Sequence, residues 1–238
     1  MPTTDFTVKT LAAHLHMTPE AVEKLANRGG LPGRRVGGDW KFTRAEIHHW
    51  MEERIGQSDE AELLQMESVL DRTTTAHDEP VQSITELISL ESIGVPLSAR
   101  TGASVIRAMV DLAVGTGQLW DPDKMIEAVR SREEMHPTAL ENGVALLHPR
   151  RPMTSILGEP LIALGRTPAG VPFGGSDGTL TDIFFLICST DDRGHLRALA
   201  RLSRIITAPD FLIKLRHEVN DAFDAHHLIK ETEDSLAS

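Results

Sequence analysis

Cysteine is nearly absent. The 238-residue chain has one, Cys188, which excludes an intramolecular disulfide framework. It sits in the apolar run DIFFLICS at 182–189, where a buried, inert thiol is expected. Long hydrophobic runs are also lacking: none in the sequence approaches the ~18–20 residues that a membrane span needs. The first residues, MPTTDFTVKT, do not have the basic-then-apolar layout of a signal peptide. These absences lead to the expectation of a cytoplasmic protein with no membrane partner. Net positive charge is missing as well: 24 Lys and Arg against 35 Asp and Glu give −11, which argues against a generic nucleic-acid binder. No internal repeat or low-complexity tract occurs. The 11 histidines show no zinc-type spacing with Cys, Asp or Glu, so neither a metal nor another cofactor is expected.

What is present suits a globular chain: 40% of residues are apolar, and the length allows one large domain or two small ones. The charge is unevenly spread. Residues 1–55 carry eight basic against seven acidic groups, residues 56–80 one against seven, and the remainder is −6. Any contact with DNA phosphate must therefore come from the first segment. The segment 57–70 reads as an acidic helix capped by Ser58, and TTTAHDEP at 73–80 has the composition of a linker. Three parts are expected: a unit at 1–55, an acidic helix and linker at 56–80, and a second unit at 81–238. The last residues, ETEDSLAS, read as a frayed tail.

In the first unit, residues 7–15 place Val8, Leu11, Ala12 and Leu15 on one helical face, with Thr7 as cap. Thr18 and Pro19 open a second helix that faces inward through Ala21, Val22 and Leu25 and ends at Gly29-Gly30. Two short helices around a tight turn are the helix-turn-helix signature. Residues 34–42 read as a hairpin reversing at Gly37-Gly38. A third helix starts with a Thr43/Glu46 capping box and buries Ile47, Trp50 and Met51. This order resembles the excisionase/MerR-like winged helix-turn-helix family, on Phe6-Thr7-Val8, Leu11-Ala12, TPEAV, Gly30-Leu31-Pro32, Arg35-Val36-Gly37-Gly38 and the Trp50 helix. The resemblance implies DNA roles for Lys24, Asn27 and Arg28 on the second helix and for Arg34, Arg35 and Lys41 on the wing. Glu20 and Glu23 on the same helix repel phosphate, so a second reading stands beside it: the fold serves protein–protein contact or dimerisation, with Leu63, Leu64 and Leu70 as a pairing surface. A homodimer would be the ordinary route to specific DNA binding.

The second unit alternates helices and strands. Helices are expected at 84–88, 104–114 and 121–135, an extended segment at 93–97, strands at 143–148, 160–165 and 182–189, and three closing helices at 195–206, 209–219 and 221–230. The strand at 182–189 is apolar throughout, as a central strand should be. Helices on both faces of a mixed sheet give an α/β sandwich, preceded by the small, mainly helical first unit. The motifs SREEMHPTALENGVALLH at 131–148, GVPFGGSDG at 170–178 and GHLRALARLSRII at 194–206 resemble the fructose/mannitol and nitrogen-regulatory EIIA family of the phosphotransferase system. The resemblance covers about 81–229. It implies that His148 accepts a phosphoryl group from an HPr-like phosphocarrier, with His195 as a second imidazole and Arg132 as a cation at the site. His136, His226 and His227 match no motif. Imidazole suits this chemistry because it titrates near pH 6.5 and is a nucleophile when neutral. The transferring group carries charge on its equatorial oxygens and needs donors around it; backbone N–H groups at the start of the His195 helix would supply some. No metal is required.

One departure falls at the acceptor. The family's usual Ile/Val-Pro-His-Gly/Ala is here Leu146-Leu147-His148-Pro149-Arg150. Pro149 removes one backbone N–H and restricts His148, while Arg150 and Arg151 add positive charge. Three functional readings follow. The first is a nitrogen-regulatory-type signalling protein, a phosphocarrier component that couples phosphorylation of His148 to DNA or protein binding. The second is an adaptor or DNA-binding protein with a degenerate EIIA domain and no phosphoryl chemistry. The third is an accessory sugar-phosphotransferase EIIA component. The absence of a permease or EIIB segment from these 238 residues favours regulation over transport.

Overall fold

The first helices begin where a hydroxyl can close their open ends. Thr7 caps α1 (Val8–His14) in a reciprocal box with Thr10. Thr18 caps α2 (Pro19–Asn27) through the amide of Ala21. Thr43 and Glu46 close the start of α3 (Arg44–Gln57). Each cap satisfies donors that the first turn leaves open, worth about 1 kcal/mol. In α2 the buried residues are Val22 and Ala26, whereas Ala21 and Leu25 are only partly buried; the inward stripe lies a little off the expected one. In α3 the core positions are Ile47, Met51 and Ile55, with Trp50 half-buried.

Between α2 and α3, β2 (Arg34–Val36) and β3 (Asp39–Phe42) form the expected hairpin. Its turn residues Gly37 and Gly38 have φ of 63° and 94°, which a residue with a Cβ rarely adopts. A third strand, β1 (Phe6–Thr7), pairs antiparallel with β3 and makes a three-stranded sheet.

The computed structural model describes residues 5–15, 17–57, 63, 82–175 and 178–237. The chain divides into two compact units, Met1–Asp78 and Glu79–Ser238. The linker at 73–80 and most of the acidic helix expected at 57–70 lie outside the described residues; of that helix, Gln57 ends α3 and Leu63 is helical and fully buried. Among the described residues no helix is long and apolar enough to cross a membrane.

The second unit runs α4 (Ile84–Leu87), a 3-10 turn (Leu90–Ser92), β4 (Ile93–Gly94), α5 (Gly102–Gly115), α6 (Pro122–Met135), β5 (Val144–Leu147), β6 (Leu161–Pro172), β7 (Leu180–Cys188), α7 (Asp192–Thr207), α8 (Phe211–His217) and α9 (Ala222–Leu236). The sheet order is β4-β6-β7-β5. It is mixed: β4 is parallel to β6, β6 antiparallel to β7, and β7 parallel to β5. β7 is central, as its unbroken apolar run requires. β6 extends past its expected end at Gly165 to Pro172, through an irregularity between Arg166 and Val171.

Alternation splits the strands between two faces. Ala145, Leu147, Leu161, Ala163, Phe184, Leu186 and Cys188 pack with Val105, Met109, Met125 and Val129 of α5 and α6. Leu146, Ile162, Leu164, Ile183, Phe185 and Ile187 point the other way and are equally buried, so helices cover both faces. Gly165 allows the α5 layer to sit close, because a Cβ there would lie 2.5 Å from the Met109 sulfur and 2.7 Å from Leu97. Arg166 donates through Nη1 to the carbonyls of Leu215, Arg216 and Val219, a cation placed at the negative end of α8.

The end of the chain differs from the expected frayed tail. α9 continues to Leu236, and Glu233 on its last turns accepts from the amides of Ile84 and Thr85 at 2.6 and 2.9 Å and from the Thr85 hydroxyl at 2.6 Å. These are the open donors at the start of α4. A polar tail becomes ordered when its carboxylate supplies a cap to a distant helix. Glu233→Ala is expected to cost about 1–3 kcal/mol, read as a lower urea midpoint of the full chain; an unchanged midpoint would show the cap to be dispensable.

Candidate active site

β5 and β7 are parallel neighbours with Leu147 opposite Leu186, so both deliver their C-terminal ends to one edge of the sheet. The chain leaves β5 at His148. It leaves β7 at Ser189 and enters α7, capped by Asp191, whose carboxylate accepts from the Gly194 amide at 2.8 Å. His195 closes the first turn of α7, its amide bonding the Asp191 carbonyl at 3.1 Å. The two imidazoles meet with ring centroids 5.0 Å apart and planes at 51°. Both residues are 3% exposed.

His148 Nδ1 lies 2.7 Å from the Leu146 carbonyl oxygen. A carbonyl only accepts, so Nδ1 carries the hydrogen, and in the neutral ring Nε2 holds the lone pair. Of the two ring nitrogens, Nε2 is therefore the one with nucleophilic character. His195 Nδ1 lies 3.2 Å from the Ser189 hydroxyl, which both donates and accepts, so no tautomer follows there.

The end of α6 comes within electrostatic reach of His148 through Glu133. Arg132 is buried and donates through Nη1 to the His136 carbonyl at 2.6 Å, tying down the helix terminus on which it sits. Glu133 accepts from the Thr138 amide at 3.0 Å and from the Thr138 hydroxyl. Burial pushes the Glu133 carboxyl above the ordinary carboxylate range, opposed by the Thr138 hydrogen bonds and by the nearby His148 ring and Arg132 guanidinium. Glu133 is thus within electrostatic reach of two of the three predicted site residues, His148 and Arg132. The sequence motifs assign a role to neither Glu133 nor Ser189. Their partners lie only five and six residues ahead, at Thr138 and His195, but each pair crosses the end of an element, where helix and strand periodicity carries no signal. Cys188, at the end of β7, is buried, and desolvation pushes its thiol up to about 12, so it offers no thiolate near neutrality.

In the first unit the predicted DNA-contacting residues are partly engaged with one another. Asn27 Oδ1 accepts from Arg35 Nη2 at 3.0 Å and from the Trp40 indole at 3.3 Å, and the Arg35 guanidinium lies 5.1 Å from the Trp40 ring centre. The end of α2 is tied in this way to the β2–β3 hairpin. Arg34 pairs with Asp5 at 2.7 Å and stands opposite Lys41 in the ladder. Lys24 is exposed on α2, and Arg28 is its C-cap rather than a helical residue. Asn27, Arg35, Trp40 and Lys41 share the lining of a cleft of about 360 Å³ with Lys9 and Glu23.

The mixed sheet covered on both faces makes the second unit an α/β sandwich domain, and a small helix-turn-helix domain precedes it. The model of the family described as "Phosphoenolpyruvate-dependent sugar phosphotransferase system, EIIA 2" matches residues 86–232, and that of a helix-turn-helix domain matches residues 6–55. The chain belongs to this EIIA 2 family. It is 31% identical over 132 residues to the fructose-specific EIIA component of Haloferax volcanii, covering 55% of this chain and 80% of that protein. It is 31% identical over 138 residues to the nitrogen regulatory protein of Bradyrhizobium diazoefficiens, covering 56% of this chain and 86% of that protein. It also matches the fructose-specific EIIABC component of Bacillus subtilis at 32% over 125 residues, which is 52% of this chain but 19% of that longer protein. Among solved structures, the nitrogen regulatory protein IIA-Ntr of Neisseria meningitidis superposes with a TM-score of 0.55 at 20% identity, over 61% of this chain and 98% of that one. The mannitol IIA of Escherichia coli gives 0.53 at 20%, over 59% and 97%.

Proposed function

We propose that the chain is a cytoplasmic signalling protein in which His148 accepts a phosphoryl group from an HPr-like phosphocarrier and thereby alters DNA or protein binding. The observation that supports this most is the His148 Nδ1 contact with the Leu146 carbonyl, which leaves Nε2 as the attacking nitrogen. In the transfer, the bond from phosphorus to the donor imidazole nitrogen breaks as the bond to Nε2 forms. The electron pair returns to the donor ring, and Nδ1 keeps its hydrogen on Leu146. His195, 5.0 Å away ring to ring, and Arg132 are the groups assigned to offset charge on the phosphoryl oxygens. The added charge of about −1.5 to −2, by analogy with other phosphorylated side chains, is the signal. Relatives bear nitrogen-regulatory as well as fructose-specific names, and an N-terminal helix-turn-helix domain favours the regulatory role.

A second reading, an adaptor without phosphoryl chemistry, is favoured by the 3% exposure of His148 and by Pro149 after it. The two separate on incubation with phosphoenolpyruvate, enzyme I and an HPr-type carrier, followed by intact-mass analysis. One acid-labile phosphoryl group supports the acceptor. No addition with several carriers supports the adaptor. Passage of the group onward to an EIIB protein indicates a transport component instead.

The DNA branch of the proposal has its own test. Binding of the full chain to duplex DNA should weaken as salt rises, and Arg34→Ala and Arg35→Ala should each weaken it several-fold at about 0.1 M salt. Unchanged affinity in both variants would rule out the wing contacts.

A further inference from the structure

β5 is the outermost strand of its sheet, and its free edge is covered by a short segment just after α6. The Leu146 amide donates to the Thr138 carbonyl at 3.3 Å, the Leu140 amide donates to the Val144 carbonyl at 2.7 Å, and Ala139 bridges Ala145. Thr138 follows Pro137, whose missing N–H leaves this segment one fewer way to be fixed. Glu133 fixes it with both carboxylate oxygens, Oε2 on the Thr138 amide and Oε1 on the Thr138 hydroxyl. A continuous path results: Glu133 grips Thr138, the Thr138 carbonyl holds the Leu146 amide, and the Leu146 carbonyl holds the Nδ1 hydrogen of His148.

We propose that Glu133 is a positioning residue that keeps His148 in the Nε2-nucleophilic tautomer through Thr138 and Leu146. The proposal rests on the reading of His148 as phosphoryl acceptor, because only then does the choice of nitrogen matter. Its physical content is the reach of the side chain rather than its charge. A carboxylate close to an imidazole also attracts its protonated form directly, and the burial that raises the Glu133 carboxyl would make such an attraction strong. Reach and charge are separable by substitution. Glu133→Gln keeps the reach and loses the charge: its carbonyl accepts from the Thr138 amide, and its NH2 donates to the Thr138 hydroxyl, which accepts as readily as it donates. Glu133→Asp keeps the charge and is one methylene too short to grip Thr138.

The test uses the full chain with 15N-labelled histidine, at a pH where the imidazoles are neutral. In the wild type, and in Glu133→Gln, the His148 resonances should report Nδ1 protonated and Nε2 bare. In Glu133→Asp they should move toward an average of the two tautomers, and the rate of phosphoryl uptake should drop about tenfold, on the order of one lost hydrogen bond. Wild-type resonances in Glu133→Asp would overturn the relay. So would loss of the tautomer in Glu133→Gln with retention in Glu133→Asp, which assigns the effect to charge. If the wild type takes up no phosphoryl group, the acceptor reading fails by itself, and the tautomer comparison still decides for or against the relay.

Discussion

His148→Ala should take up no phosphoryl group under conditions in which the wild-type chain gains one. Two properties make this loss complete rather than partial. The attacking lone pair belongs to Nε2 of this ring, because the 2.7 Å contact with the Leu146 carbonyl places the hydrogen on Nδ1. The neighbouring imidazole holds a different place, with its Nδ1 against the Ser189 hydroxyl, and is assigned the charge-stabilising role. His195→Ala should accordingly slow uptake, by an amount typical of a lost charge-stabilising donor, about 10²–10³, while leaving one phosphoryl group attainable at long times. The measurement is intact mass against time with phosphoenolpyruvate, enzyme I and an HPr-type carrier. Uptake by His148→Ala equal to that of the wild type would move the acceptor elsewhere and remove the central assignment.

Phe184→Ala should be among the most destabilising single changes in the chain. Phe184 is fully buried on the central strand and stands between the two smallest partners available, Gly165 on β6 and Ala145 on β5. Its ring meets Phe173 edge-on at 5.2 Å and fills space that neither cross-strand neighbour reaches. Truncation leaves glycine and two alanines in a row across three strands, with little that can collapse inward. The cost should fall at about 3–5 kcal/mol, against a total of about 5–15 kcal/mol for a domain. Urea unfolding of the full chain provides the check, and a loss under about 1 kcal/mol would mean that the layers close over the gap.

Much of this fold can be read from the residues, and the reasons it can are local. Thr7, Thr18, Thr43 and Asp121 each cap the helix they precede, because a cap needs only the next three residues. The helix-turn-helix order, the hairpin at Gly37-Gly38 and the central position of the 182–189 strand followed from spacing and composition for the same reason. What escaped was long-range. β1 is two residues long and exists only because β3 lies beside it. The polar end of α9 is ordered by Ile84 and Thr85, 149 and 148 residues distant from Glu233. β6 runs beyond Gly165 because β7 carries it through residues that look like turn formers. At the site, the strand-end and helix-start histidines were legible through motif order. The tautomer of His148 was not, since it depends on where the pairing of Thr138 with β5 sets the Leu146 carbonyl.

The tie between Asn27 and the hairpin bears on the thermodynamics of association. One side-chain oxygen receives both the Arg35 guanidinium and the Trp40 indole, so the end of α2 and the wing hold their relative arrangement before any ligand arrives. A surface that meets this face does not have to order two independent elements. The rotamer entropy of two large side chains, about 0.5–1.5 kcal/mol for each one immobilised at an interface, is already lost in the unbound protein and is not charged against binding.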